Sequence, residues 1–109
     1  MAHDEALAER IRALLAGEPT VTEKRMFGGL AFLVGGNLAI AASGQGGILV
    51  RVDSAESAAL VAGSGATLAV MQGREMHGWL RVPTEALDDA ELARWTERGV
   101  AYARSLPPK

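Results

Sequence analysis

Hydrophobic and polar positions along the chain follow two different spacings, which divide the chain into helices and strands. The first apolar residues recur at the i, i+4, i+7 and i+8 positions of an amphipathic helix, and they are Leu7, Ile11, Leu14 and Leu15. This spacing predicts a helix over residues 4–16. Asp4 is the expected N-cap, and Gly17 followed by Pro19 is a stop signal.

From Val21 onwards the spacing becomes that of β-strands. We interpret Val21–Val34 as a first long strand centred on Lys24–Phe32, because apolar residues occupy both of its faces. Its glycines leave an alternative open, in which the segment begins as a short strand, bends and continues. Gly28 and Gly29 lie in its middle. Paired glycines weaken a strand, so they indicate either a bulge or the close approach of another backbone or a ligand.

Four further strands are expected downstream, at Leu38–Ala42, Ile48–Val52, Thr67–Gln72 and Met76–Val82. Glycine-rich turns separate them, and Gly35-Gly36-Asn37 supplies the positive φ angles that a tight hairpin needs. The strands are therefore expected to form an antiparallel meander that ends in a hairpin.

Two more helices are expected among these strands and after them. A middle helix begins after Asp53 or Ser54 and ends at Gly63, and a carboxy-terminal helix begins after Asp88. The apolar stripe of the last helix consists of Leu92, Trp95, Gly99, Tyr102 and Leu106, and Pro107-Pro108 terminates it. Glycine inside a helix costs about 1 kcal/mol against alanine, so Gly99 predicts close approach to the sheet or to a partner chain.

The expected fold is therefore α+β, with an antiparallel sheet of about five strands and amino-terminal, middle and carboxy-terminal helices. The 109 residues fit one domain, residues 1–109, and 49% of them are apolar. We find neither a linker nor an internal repeat in the sequence.

Composition excludes several classes of function. With no cysteine, the chain has no disulfide, thiolate zinc site or cysteine nucleophile. A net charge of −2 argues against general binding of a phosphate backbone, so direct nucleic-acid binding is not expected. The acidic amino terminus is unlike a signal peptide, and the apolar run Leu30–Ala42 is too short to span a bilayer. We therefore expect a cytoplasmic protein without membrane contact. Arginine outnumbers lysine nine to two, a composition typical of GC-rich bacteria.

Sequence motifs for catalysis are weak. Glu75 and His77 would share one face of a strand and could bind a metal or act in acid–base chemistry, but a surface histidine is the favoured interpretation. The glycine clusters match neither the dinucleotide fingerprint nor the P-loop, and no serine lies in a nucleophile elbow. We predict no cofactor, no metal and no enzymatic activity.

Basic residues on the sheet are the strongest candidates for binding. Arg51, Trp79 and Arg81 would share a face that could recognise an anion, an acidic partner or a single-stranded base. Ordinary solvated positions on an exposed sheet face are the favoured alternative. The candidate residues for a ligand or partner are Lys24, Arg25, Phe27, Gly28, Gly29, Arg51, Trp79 and Arg81.

Several segments resemble the TfoX/Sxy amino-terminal domain family over nearly the whole chain. They are Lys24–Phe32, Gly36–Leu38, Ile48–Asp53, Met76–Trp79 and the closing segment from Trp95 to Lys109. The resemblance implies a small α+β domain of the secretion-chaperone-like kind, often dimeric. Founding members of the family regulate natural competence and carry a second, carboxy-terminal domain that does not occur in this sequence.

Two hypotheses follow from the sequence. The leading one is a non-enzymatic interaction domain with a regulatory role, forming a homodimer and binding a protein partner. The alternative is a domain that binds a small ligand or an anion through Arg25, Arg51, Trp79 and Arg81.

Overall fold

The computed structural model describes residues 5–26 and 28–108. The helices of this part of the chain are α1 (Glu5–Leu14), α2 (Ser57–Ala62) and α3 (Asp89–Ser105). The strands are β1 (Val21–Met26), β2 (Gly29–Val34), β3 (Asn37–Ala42), β4 (Ile48–Arg51), β5 (Thr67–Met71) and β6 (Arg74–Val82). The strands form one antiparallel sheet in the order β1-β2-β3-β4-β6-β5. None of the described helices has both the length and the apolar character that crossing a membrane requires.

The α+β class and the three helices are confirmed, but the described residues form six strands rather than five. The interpretation of Lys24–Phe32 as one long strand is wrong. The chain reverses after Met26, which pairs with Gly29 as the first step of an antiparallel hairpin. Gly28 lies in this connection with a φ of +72°, a conformation that suits tight hairpins. The predicted N-cap Asp4 and the candidate Phe27 lie outside the described residues.

A hydrogen bond confirms the predicted cap of the third helix, while Asp53 caps a short turn that precedes the second helix. The carboxylate of Asp88 accepts the backbone N–H of Glu91 at 2.8 Å, at the start of α3. The carboxylate of Asp53 accepts the backbone N–H of Ala55 at 2.9 Å and opens a 3₁₀ turn, Ser54–Glu56, that leads into α2. Each cap satisfies a backbone donor that the first turn of a helix leaves free, typically worth about 1 kcal/mol.

All three helices pack on one face of the sheet and form the larger core with it. The helix α3 crosses β3 and β4 at Gly99, where an added Cβ atom would lie only 2.3 Å from the carbonyl oxygen of Ala39. The prediction that Gly99 permits close approach is confirmed, and the neighbour is the sheet. Trp95, one turn earlier, is fully buried in the same core.

The opposite face, called the open face here, carries a second and smaller apolar cluster. Its buried members are Ala31, Ala41, Leu49 and Ala69. Larger side chains pack around them, and these are Met26, Leu38, Met71 and Trp79. No described helix contributes to this cluster.

Ion pairs tie the helices to the segment that leads into the sheet. Arg12 of α1 makes a bidentate contact with the carboxylate of Glu23 on β1, with Nε–Oε2 and Nη2–Oε1 distances of 2.6 and 2.9 Å. This hydrogen-bonded guanidinium lowers the pKa of Glu23 below its usual value. Arg104 near the end of α3 pairs with Glu18 in the same way. These contacts hold β1, an edge strand, against the helices.

Candidate functional site

A cleft of about 720 Å³ opens at one end of the open face, beside the β2–β3 turn. We call it the Arg51 cleft. Three apolar side chains line it, Met26, Leu33 and Leu38, and the segment Leu106–Pro108 forms one wall. Its polar lining comes from Lys24, Asn37, Arg51 and Trp79. Volumes of about 300–1,000 Å³ are typical of sites that bind small molecules or side chains of a partner.

Arg51, at the end of β4, is the distinctive residue of the cleft. It pairs with Trp79 of β6 in the sheet register, so both side chains lie on the open face. The guanidinium carbon is 4.7 Å from the centre of the Trp79 ring and 5.3 Å from that of Tyr102 on α3. Cation–π contacts of this kind are worth about 0.5–2 kcal/mol each, so the two rings fix the position of the guanidinium.

One hydrogen-bonding group of Arg51 is unused within residues 5–26 and 28–108. The Nε atom of Arg51 is buried and has no hydrogen-bond partner there. Leaving a buried donor unpaired costs about 1–3 kcal/mol, so such groups are rare in native structures. The two rings therefore hold a charged guanidinium in place at the cleft, with its Nε–H group unpaired in the described chain.

The wall of the cleft depends on one long-range hydrogen bond. Asn37, the first residue of β3, is buried, and its Nδ2 donates to the backbone carbonyl of Pro107 at 3.0 Å. The bond joins the β2–β3 turn to the residues that follow α3. Tyr102 of α3 contacts Arg51, and Leu106, the residue that follows α3, belongs to the wall.

The charged side chains in the described lining of the cleft are all positive. Lys24 and Arg51 are its cationic side chains, and none of the described residues that line it is a carboxylate. Lys24 lies on β1 opposite Ala31, so it projects from the open face at the edge of the sheet. A cationic cleft in a chain of net charge −2 favours an anionic occupant.

Comparison with protein families gives a match to the TfoX N-terminal domain over residues 13–103. The matched range covers most of the chain and includes the whole sheet. The chain belongs to the TfoX N-terminal domain family. The resemblance seen in the sequence is therefore confirmed. Searches of the curated proteins and of the solved structures returned no match to the chain.

The match to the TfoX N-terminal domain includes most of the Arg51 cleft. Lys24, Arg51 and Trp79 lie inside the matched range, as does Tyr102. The wall residues Leu106–Pro108 lie beyond it. The cationic side chains thus belong to the family domain itself, while the wall is added by residues after the match.

The sequence-predicted candidates separate into groups in the structure. Lys24, Arg51 and Trp79 come together at the cleft. Arg25 does not join them, because it pairs with Leu30, which packs against the core on the helix side of the sheet. Arg81 shares the open face, but its Nη2 donates to Ser43 Oγ at 3.2 Å and to the Gly46 carbonyl, away from the cleft.

The two adjacent candidate glycines occupy positions set by backbone geometry. Gly28 has a positive φ in the connection between β1 and β2. At Gly29 an added Cβ atom would lie 2.0 Å from the carbonyl oxygen of Ala42 on β3. Close approach of another backbone, one of the explanations suggested by the sequence, therefore accounts for Gly29.

Glu75 and His77, the best acid–base candidates in the sequence, are both exposed on β6. Neither lines the Arg51 cleft. In contrast, sequence analysis missed the roles of Tyr102 and Asn37 at the cleft. Both contacts join residues more than 50 positions apart, so no local spacing could have indicated them.

Proposed function

We propose that this chain is a non-enzymatic regulatory domain that binds a partner protein in the Arg51 cleft. The observation that carries the proposal is the guanidinium of Arg51, which two aromatic rings hold in place while its buried Nε lacks a partner in the described chain. Membership of the TfoX N-terminal domain family supports the regulatory role. A bound partner would meet the positive charge of this guanidinium in the lining of the cleft.

The chemistry of the cleft supports binding rather than catalysis. Its described lining offers apolar contacts, an amide and two cations, and these groups recognise and orient a ligand. The described lining includes no histidine, serine or carboxylate that could act as a base or nucleophile.

Replacing Arg51 with alanine is expected to abolish capture of the native partner. Tagged chain is incubated with extract of the native cells, and bound proteins are identified by mass spectrometry. The matched control is Arg74→Ala, since Arg74 is an exposed arginine on β6 that does not line the cleft. A protein retained by the unaltered chain and by Arg74→Ala but lost with Arg51→Ala is the expected result. Identical capture by all three chains would contradict the proposal.

A second candidate function is the binding of a small anion, which the volume and positive charge of the same cleft favour. Inorganic phosphate or a mononucleotide should then raise the melting temperature of the chain, and Arg51→Ala should abolish that rise. Absence of any thermal shift at millimolar ligand would contradict this candidate.

We also propose a cytoplasmic homodimer, joined at the edge of the sheet formed by β5. The two edges differ, because β5 has no charged residue whereas β1 carries Glu23, Lys24 and Arg25. Charged side chains on an edge strand discourage pairing with another strand. Val70 on β5 is 61% exposed, which is unusual for a large apolar side chain and suits an antiparallel pairing of two β5 strands. Recovery of the protein outside the cytoplasm in cell fractionation would contradict the localisation.

Introducing a lysine at Val70 is expected to convert the dimer into a monomer. Two copies of the new charge would face each other across the pairing, where like charges are destabilising. Sedimentation velocity measures the change, with Thr22→Lys on the exposed edge strand β1 as the control that should remain dimeric. A monomeric unaltered chain at high concentration would rule out the dimer.

A further inference from the structure

We propose that the partner segment in the Arg51 cleft is an acidic peptide, in which one Asp or Glu carboxylate binds Arg51 and neighbouring apolar side chains occupy the rest of the cleft. This inference rests on the proposed function and names the chemistry of its partner. Three properties of the cleft carry it: the guanidinium held by two rings, the number of its cations and its apolar lining.

The aromatic contacts hold the charged end of Arg51 at the cleft. The ring centres of Trp79 and Tyr102 lie 4.7 and 5.3 Å from the guanidinium carbon. The Nε atom is buried, so a ligand in the cleft would meet the two terminal nitrogens of the guanidinium. The N–H groups of these nitrogens form a planar fork that matches the two oxygens of a carboxylate. The arrangement thus favours a planar, anionic acceptor.

The number of cations favours a carboxylate over a phosphate group. Recognition of a phosphorylated residue typically uses a cluster of arginines, because the group carries about two charges and three acceptor oxygens. The described lining of the cleft has one arginine and one lysine. One fork and one nearby ammonium group match the single charge of an Asp or Glu side chain.

The apolar lining indicates that the carboxylate belongs to a larger molecule. Met26, Leu33 and Leu38 line the cleft together with Leu106 of the wall. A small free anion would leave these side chains exposed to water, whereas the residues beside an Asp or Glu in a peptide could cover them. Burial of apolar area contributes about 25 cal/mol per Å², so the neighbouring side chains should add to the affinity.

The test compares two peptides that differ only in charge, acetyl-Leu-Glu-Leu-amide and acetyl-Leu-Gln-Leu-amide. Each is titrated into the full chain labelled with ¹⁵N, and the arginine Nε–H and tryptophan indole signals are followed by NMR. The Glu peptide is expected to bind saturably and to shift the Arg51 Nε–H signal. The Gln peptide should bind at least about tenfold more weakly, since hydrogen bonds to charged groups are the stronger ones.

Variants and a third ligand make the test specific. Arg51→Ala should abolish binding of the Glu peptide, and Arg74→Ala should leave it unchanged. Lys24→Ala is the second variant, since Lys24 is exposed and its replacement does not threaten the fold; it should weaken binding several-fold. Inorganic phosphate is titrated in parallel and should bind more weakly than the Glu peptide.

Several results would overturn the inference: equal affinity for the two peptides, binding that survives Arg51→Ala, phosphate binding as tight as that of the Glu peptide, or no binding at millimolar peptide. The capture experiment separates this failure from that of the proposed function. If Arg51→Ala loses the native partner while the Glu peptide does not bind, the proposed partner site is supported and the proposed acidic character of the partner segment is contradicted. If Arg51→Ala changes neither the capture of the native partner nor the binding of the Glu peptide, both proposals fail.

Discussion

Replacing Gly99 with alanine is expected to lower the free energy of unfolding by about 3 kcal/mol, the upper part of the usual range for overpacking. The new Cβ atom would lie 2.3 Å from the Ala39 carbonyl oxygen, 2.9 Å from its carbonyl carbon and 3.1 Å from Cγ2 of Val50. The first two atoms belong to the backbone of β3, so they cannot rotate away as a side chain could. The helix α3 must therefore move off the sheet.

Two effects of the Gly99 substitution oppose each other. Alanine favours a helix over glycine by about 1 kcal/mol, which would stabilise α3 if the site were open. Displacement of α3, however, loosens the packing of its own side chains Leu92 and Trp95, both fully buried in the larger core. Loss of packing around large core side chains costs more than the helical preference supplies, so the net change is a loss.

Urea unfolding followed by circular dichroism measures the Gly99→Ala effect. Gly17→Ala is the matched control, because no atom lies within 4 Å of a Cβ atom built there. The control should change stability by less than about 0.5 kcal/mol. Equal stabilities of the two variants would show that α3 and β3 are not in close contact at this point.

Replacing Gly29 with alanine is expected to cost a similar amount, about 3 kcal/mol, by separating β2 from β3. A Cβ atom at this position would lie 2.0 Å from the carbonyl oxygen of Ala42 and 2.9 Å from the backbone nitrogen of Gly44. Both neighbours are backbone atoms at the end of β3. The chain must therefore shift where the second strand begins.

The adjacent Gly28 provides an internal control for Gly29. No atom lies within 4 Å of a Cβ atom built at Gly28, so only its φ of +72° limits the side chain there. Asparagine tolerates this conformation better than other residues, and Gly28→Asn should cost less than about 1 kcal/mol. Thermal unfolding of the two variants tests the contrast. If Gly28→Asn is the more damaging change, the assignment of roles to the two glycines is reversed.

The helices and most strands could be predicted because their signals are local. The residues Asp53 and Asp88 mark where helical segments begin, and glycine-rich turns separate most of the strands. The reversal after Met26 could not be predicted in the same way. Both faces of the sheet are apolar around β2, so the alternation of side chains does not reveal where one strand ends and the next begins.

That missed reversal explains part of the error in the predicted site. In one continuous strand Arg25 would share a face with Ala31, whereas the hairpin places Lys24 opposite Ala31 and Arg25 opposite Leu30. The hairpin therefore places Lys24 on the open face and Arg25 on the helix side, the reverse of their places in one continuous strand. The association of Arg51 with Trp79 could be predicted from strand alternation, but the Tyr102 contact depends on how α3 packs against the sheet.

The unequal edges of the sheet set a limit on how far copies of this chain can assemble. Charged side chains lie along β1 and none lies along β5, so a head-to-tail contact between unlike edges would join an uncharged strand to a charged one. Repetition of such a contact is what produces open fibres. Two copies joined through β5 would present only β1 at both ends. Assembly would then end at the dimer, because the charged β1 strand at each end discourages pairing with another copy.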